Sequence, residues 1–379
     1  MANGQLSATI IIYKKGINMK YKAFRLNSND ELEVIDQTSL PHEKKTVIIK
    51  TPEEAAQSIQ NMVVRGAGTI GSVAAFGIYL SAKNSNGNLI TVTEASELIR
   101  KARPTAVNLE WAVNRMMNAL SDLSGQSLVD RARSESIAIS DEDVLRTEKI
   151  GQIGCDIMKD IMRSKGKNKI NVLTHCNAGW LGIADSGTAL APIYEAKRQG
   201  INIHVWVDET RPRNQGALTS FELTESGVPH TYITDNAGGH LMQRGEVDIV
   251  LVGADRVTRN GDAANKIGTY LKAAAAFDNK IPFYVLIPVS TFDFNMKTGF
   301  EIPIEERSEN EVLYVQGITE NNTPCKIRIT PETTHAANPA FDVTPARLIT
   351  GLITENGIIK PDETEIISKF SDIIEGQKI

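Results

Sequence analysis

In "VLTHCNAGWLG" (residues 172–182), Cys176 closes an apolar, β-branched run and is followed at once by small, turn-prone residues. In "VDIVLVGAD" (247–255), Asp255 stands in the same relation to a second such run. A thiol or thiolate and a carboxyl make a pair suited to moving protons on a small molecule. A nucleophilic hydrolase would instead pair the thiol with His175. Neighbours along a strand point to opposite faces, however, so His175 reads as a hydrogen-bonded structural residue. Taken singly, a cysteine in an apolar context is a core residue and an aspartate after a strand is a turn residue. Their coincidence with further polar loops changes that reading.

Those loops carry groups that bind anions. "VVRGAGTIGSVAAFGIYL" (63–80) passes from Arg65 through Gly66 and Ala67 into a helical run, so free backbone N–H groups and a helix dipole can meet a phosphate beside a guanidinium. Arg103, Gln215, Asn265 and Lys266 complete a plausible donor set. Gly66, Gly68 and Gly71 satisfy G-x-G-x-x-G, but the motif follows a predicted helix where a dinucleotide fingerprint follows a strand, and close packing explains the glycines as well. No G-x-x-x-x-G-K-[ST] occurs, which argues against nucleotide hydrolysis of the P-loop type.

The elements that must position these groups divide the chain in two. "TPEEAAQSIQNMVV" (51–64) has a Thr cap, Pro at the first helical position and acids in the first turn, which predicts a helix. "TAVNLEWAVNRMMNAL" predicts another, with Pro104 near its start and Arg103 by its entrance. From about residue 165 the pattern changes. "NKINVLTH", "INIHVWVDE", "PHTYITD", "VDIVLVGAD" and "IPFYVLIP" alternate with helical stretches, which predicts β-α-β crossovers and a parallel sheet covered on both faces. The expected fold class is α/β: a mostly helical N-terminal domain with a small sheet (19–150), then a Rossmann-like parallel-sheet domain (151–379). Residues 1–18 are expected to form an extension outside the fold. In open parallel sheets ligands lie beyond the carboxyl ends of the strands. Cys176, "DETRPRNQG" (208–216), "GADRVTRNGDAANK" (253–266) and "PVSTFD" (288–293) all fall on that one edge.

With 379 residues, 41% hydrophobic, the chain is long enough for two domains with ordinary cores. A net charge of -5 gives no general attraction to nucleic acid or anionic membranes, and no apolar run is long enough to span a bilayer. Cys155, Cys176 and Cys325 are too few and too scattered for a disulfide framework or a zinc site and suit a reducing cytosol. A cytoplasmic protein is expected, with no metal.

"VVRGAGTIG", "RPTAVNLEWA", "THCNAG", "ETRPRNQG", "VGADRVTRNGDAANKIGTY", "IPFYVLIPVSTFD", "IPIEER" and "NPAFDVTPARLITGLITENGI" occur in an order that resembles the methylthioribose-1-phosphate isomerases. That superfamily also contains ribose-1,5-bisphosphate isomerases and the regulatory subunits of the initiation-factor guanine-nucleotide exchange factor. The resemblance implies a homodimer that needs no cofactor and converts a 5-substituted ribose 1-phosphate to the ribulose 1-phosphate in methionine salvage. It implies that Cys176 and Asp255 are catalytic and that Arg65, Gly66, Ala67, Arg103, Gln215, Asn265 and Lys266 bind the sugar phosphate. The phosphate masks the anomeric oxygen, so the ring cannot open to a free aldehyde. Asp255 would protonate the ring oxygen, and hydrogen would pass from C2 to C1 either as a proton through Cys176 or as a hydride. A non-catalytic regulatory subunit is the rival reading on the same scaffold.

Three positions depart from the family pattern: Gly68 where proline is usual, a Gln215–Thr219 segment one residue short, and Trp180 where small residues are common. A bulky Trp180 would narrow the cleft toward 5-deoxyribose 1-phosphate if it lined it, and is otherwise core. The other two resemble ribose-1,5-bisphosphate isomerases.

Overall fold

A computed structural model of the chain describes residues 22–104 and 106–376. The extension expected over residues 1–18 lies outside them.

The N-terminal part begins with a three-stranded antiparallel sheet, β1 (Phe24–Leu26), β2 (Leu32–Ile35) and β3 (Thr46–Ile49). Four helices follow: α1 (Pro52–Gln60), α2 (Ala67–Asn84), α3 (Leu89–Ala102) and α4 (Val107–Leu120). α1 starts as its sequence predicts, with the Thr51 hydroxyl accepting from the Glu54 N–H at 3.2 Å and Pro52 in the first turn. α2 is buried nearly all round and forms the axis of this part, with α1, α3 and α4 packed on it. The core here is drawn from residues between Ala23 and Ile139.

α5 (Gly125–Lys165) runs without a break through residue 150, consistent with the absence of a Pro/Gly-rich linker there. Its first half completes the N-terminal core through Leu128, Ala132 and Ile139, and its second half packs Ile150, Cys155 and Met158 into the next.

The C-terminal part is a Rossmann-like sheet. Its elements are β4 (Ile170–Thr174), α6 (Ala191–Arg198), β5 (Ile203–Asp208), α7 (Gln215–Glu225), β6 (His230–Ile233), α8 (Ala237–Gln243), β7 (Ile249–Val252), β8 (Arg256–Thr258), β9 (Ala263–Lys266), α9 (Thr269–Asp278), β10 (Phe283–Leu286) and β11 (Phe292–Asp293), then α10 (Asn310–Leu313), the hairpin β12 (Tyr314–Ile318) and β13 (Pro324–Arg328), β14 (Phe341–Thr344), β15 (Gly351–Thr354) and β16 (Gly357–Ile359). The seven-stranded sheet has the order β16-β15-β10-β7-β4-β5-β6, parallel throughout except for β16. All five apolar runs expected to be strands are in it. β7 is buried at every position, as a central strand covered on both faces must be. A smaller sheet, β11-β8-β9-β14, grows from the loop after β7.

Candidate active site

β4 leads to β5 on one side, whereas β7 leads to β10 on the other, so the two strands flank the point where the sheet order reverses. Loops leaving such a pair diverge and open a crevice. Cys176 lies just beyond β4, and Asp255 lies between β7 and β8.

The nine site residues expected from sequence line one cleft: Cys176, Asp255, Arg65, Gly66, Ala67, Arg103, Gln215, Asn265 and Lys266. Arg65, Gly66 and Ala67 arrive at the N-terminus of α2, an end that carries no side-chain cap and whose dipole favours an anion. Arg103 ends α3 and Gln215 opens α7. Asn265 and Lys266 end β9. Asn177, Arg213, Glu305, Arg307 and Phe341 also line the cleft and were not singled out. Arg213 belongs to the polar "DETRPRNQG" loop, which was the available signal; Arg307 lies in "IPIEER", where nothing but the resemblance marks it.

Cys176 takes a left-handed backbone conformation, φ 68°. Its N–H donates to the Thr210 hydroxyl and its carbonyl accepts from the Thr219 hydroxyl, each at 2.8 Å, so the turn is held from both sides. Burial pushes the thiol above its ordinary range; Lys266 and Arg65 oppose the rise and Asp255 adds to it. Burial also lowers the Lys266 ammonium, which Cys176 and Asp255 counter. Lys266 Nζ donates to the Ala340 carbonyl at 3.0 Å and lies 4.1 Å from the centre of the Phe341 ring. Burial, with Arg213 and Arg103 close by, lowers Arg65 to about 10, leaving it charged at neutral pH. Its Nε is a buried donor with no hydrogen-bond partner among the described residues.

Arg213 and Arg307 converge on Glu311, at 2.6 and 2.8 Å from its Oε1, and Arg307 reaches Glu305 at 2.8 Å. Burial would raise the Glu311 carboxyl, but Arg307 and Arg213 outweigh it and hold it at about 2. Arg213, Glu305 and Arg307 of this network line the cleft.

His175 is fully buried and already engaged. Its Nδ1 lies 3.0 Å from Asp208 Oδ2, and its Nε2 lies 2.8 Å from the Ile267 carbonyl, which can only accept. Lys272 Nζ lies 3.2 Å from the same Asp208 oxygen. The ring ties the Cys176 loop to the segment after Lys266 and leaves the thiol without a histidine base.

Trp180 does not line the cleft. It is buried at 2% exposure against Phe221, with ring centroids 6.2 Å apart, so it takes the core role. Gly68 and Gly71 serve close packing: a Cβ would come 2.8 Å from Ile183 at the first and 3.0 Å from the Asn108 carbonyl of α4 at the second.

Residues 63–361 match the Initiation factor 2 subunit family. The chain is 57% identical over 355 residues to the methylthioribose-1-phosphate isomerase of Sulfurimonas denitrificans, covering 92% of this chain and 98% of that protein. It is 48% identical over 362 residues to the enzyme of that name from Escherichia coli, covering 94% and 97%. Among solved structures it superposes on 5-methylthioribose 1-phosphate isomerase from Pyrococcus horikoshii with a TM-score of 0.81 at 37% identity, covering 93% and 96%. On the translation initiation factor eIF-2B subunit delta from A. fulgidus the TM-score is 0.78 at 36% identity, covering 92% and 99%.

Proposed function

The chain belongs to the Initiation factor 2 subunit family, and from that premise we propose how its cleft works as an aldose–ketose isomerase. The protein converts 5-methylthioribose 1-phosphate to the ribulose 1-phosphate, a step of methionine salvage. The observation that carries the assignment of the reacting groups is the placement of Cys176 and Asp255 on the two loops that flank the sheet's reversal, in one cleft with the anion donors.

The phosphate is held by Arg65, Arg103 and Lys266 with the amides at the start of α2, while Gln215 and Asn265 orient the sugar hydroxyls. Asp255 donates a proton to the ring oxygen as the C1–O4 bond breaks, leaving positive charge on C1. Hydrogen then passes from C2 to C1 with its electron pair, and Asp255 takes the proton from O2 as the ketone forms. Its carboxyl thus ends in the state in which it began. The hydride route is favoured because burial keeps Cys176 a neutral thiol and its neighbour His175 is committed elsewhere, so neither serves as the base that removing a proton from C2 needs, while Asp255 is occupied with the oxygen protons. Cys176 instead shapes a dry wall beside the migrating hydrogen. With C2-deuterated substrate, retention of the label at C1 is expected; extensive washout into solvent would contradict the route.

The removal of Trp180 from the cleft takes away the reason for preferring a smaller 5-substituent. The likeness to the delta subunit raises a second reading, a regulatory subunit without catalysis. One assay separates them: purified protein is incubated with 5-methylthioribose 1-phosphate, 5-deoxyribose 1-phosphate and ribose 1,5-bisphosphate, and ketose is measured. Ketose from the first, lost in Cys176→Ala and Asp255→Asn, is the expected result. No ketose from any substrate would overturn the isomerase. The same reading extends to a homodimer, tested by sedimentation equilibrium, and to a cytoplasmic location, which the free thiols of Cys155, Cys176 and Cys325 support.

A further inference from the structure

Between the Cys176 thiol and the start of α2 runs the segment Cys176–Gly182, with a carboxylate buried behind it. Glu222, on α7, is fully buried, and among the described residues none of its hydrogen-bond partners is a cation. Its Oε2 accepts from the Trp180 N–H and the Tyr194 hydroxyl, both at 2.8 Å. Its Oε1 accepts from the Asn177 side-chain amide at 2.9 Å and the Leu181 N–H at 3.1 Å. One turn earlier on α7, Thr219 holds the Cys176 carbonyl at 2.8 Å. The far end of the segment is fixed to the N-terminal part: the Leu181 carbonyl accepts from Gln37 at 2.9 Å and from the Thr69 hydroxyl at 2.8 Å, and the Gly182 carbonyl accepts from the Thr69 N–H at 3.0 Å. Gly179 belongs to the same device, since a Cβ there would lie 1.8 Å from Glu222 Oε2.

The geometry points to Glu222 as a positioning residue for the isomerisation: its carboxylate shapes the Cys176–Gly182 segment and so sets the thiol against the phosphate-binding start of α2. This rests on the isomerase reading of the cleft. Only an ionised carboxyl satisfies four donors. Glutamine offers one acceptor oxygen and an NH2 group, so a donor would face either Trp180 and Tyr194 or Leu181 and Asn177. Two of those donors are backbone N–H groups that cannot turn away. Burial pushes the Glu222 carboxyl up to about 7, against the pull of Asn177, Tyr194 and the two N–H groups, and Tyr194 is the one titratable group among these partners. Below that pH the carboxyl gains a proton, one oxygen becomes a donor, and the segment loosens. Activity should therefore fall on the acid side of about pH 7.

The test compares wild type with Glu222→Gln and Tyr194→Phe, with folding followed by circular dichroism. Wild-type turnover is measured first, so that failure of the isomerase reading is seen separately. Folded Glu222→Gln should lose about tenfold to a hundredfold in kcat. Its KM should stay within about threefold, and its acid limb should vanish because glutamine does not titrate. Alkylation of Cys176 by iodoacetamide, a readout independent of turnover, should speed up in the same variant. Tyr194→Phe removes one donor that favours the ionised form and should move the acid limb to higher pH. Folded Glu222→Gln with kcat within about twofold of wild type would overturn the inference. So would an unchanged acid limb in Glu222→Gln or, should that variant not fold, in Tyr194→Phe.

Discussion

Replacing Gly66 by alanine tests whether the cleft depends on contact between the two halves of the chain. Gly66 has φ 96° and ψ 138°, a region essentially reserved for glycine, so any side chain there costs about 1–3 kcal/mol of backbone strain. The steric demand is larger. An added Cβ would stand 2.2 Å from Gly182 Cα and 2.5 Å from its carbonyl oxygen, whereas ordinary contact begins at 3.4 Å. The backbone of one loop must retreat by more than an ångström, drawing Leu181 and Gly182 away from Thr69 and Gln37, whose three hydrogen bonds contribute about 1 kcal/mol each. A displacement of that size between reacting and binding groups lowers kcat/KM by about a hundredfold, equivalent to about 2.7 kcal/mol at the transition state. Gly68→Ala is the matched control. Its Cβ would lie 2.8 Å from Ile183 Cγ2 and 3.1 Å from Ile183 Cβ, so Ile183 must shift by about half an ångström, less than half of what Gly66→Ala demands of a backbone, and its loss should stay within about fivefold. Ketose formation at limiting substrate and the midpoint of thermal unfolding are measured for both. Gly66→Ala with wild-type kcat/KM, or with a loss no greater than that of Gly68→Ala, would refute the reasoning.

Alkylation of Cys176 should be slow at neutral pH and still rising beyond the range of an ordinary thiol, because burial raises it. Lys266→Met removes the charge that most favours the thiolate and should shift the rate profile, followed by mass spectrometry, to higher pH; a shift to lower pH would contradict the assigned electrostatics. Trp180→Ala should cost about 3–5 kcal/mol in denaturant unfolding. It should also leave the ratio of rates on 5-deoxy and 5-methylthio substrates unchanged, and an altered ratio would return Trp180 to the specificity pocket.

The features legible in the sequence were those fixed by local patterning. Val172 and Leu173, or Ile249–Val252, are short apolar runs that fit buried strands, and the polar loops that follow them are longer and richer in charge than a turn alone requires. Their common edge follows from the strands running parallel, which is why Cys176 and Asp255 could be expected near each other. What escaped was set by partners distant in sequence. Glu222 reads as a solvated helix position in "SFELTES" and becomes a buried anchor only because the Trp180 turn folds over it. Arg307 looks like surface charge until Glu311 and Arg213 are beside it. α5 was not read as one helix because its buried positions form a sparse stripe along a polar sequence, and its packing partner changes along its length.

That change of partner bears on how the cleft works. The strands flanking the reversal carry Cys176 and Asp255, the residues proposed for the chemistry, and their spacing, about 4.8 Å between neighbours, would leave no room for a sugar if the loops ran parallel. The loops diverge because β4 leads one way and β7 the other, so the fold opens a space between thiol and carboxyl without distorting either strand. The sheet alone cannot close that space. Its open side is filled by Arg65, Gly66, Ala67 and Arg103 from α2 and α3, which belong to the other core. On the proposed assignment, binding energy from the phosphate is gathered partly on one half and used for chemistry on the other. Such use requires the two halves to be held in register more tightly than either core demands for its own stability. The direct contacts meeting that demand are the Gly66–Gly182 approach and the hydrogen bonds of Thr69 and Gln37, with α5, about 60 Å long at 1.5 Å per residue, as the shared strut. Loosening this seam should reduce turnover before it reduces folding, whereas substitutions deep in either core should do the reverse.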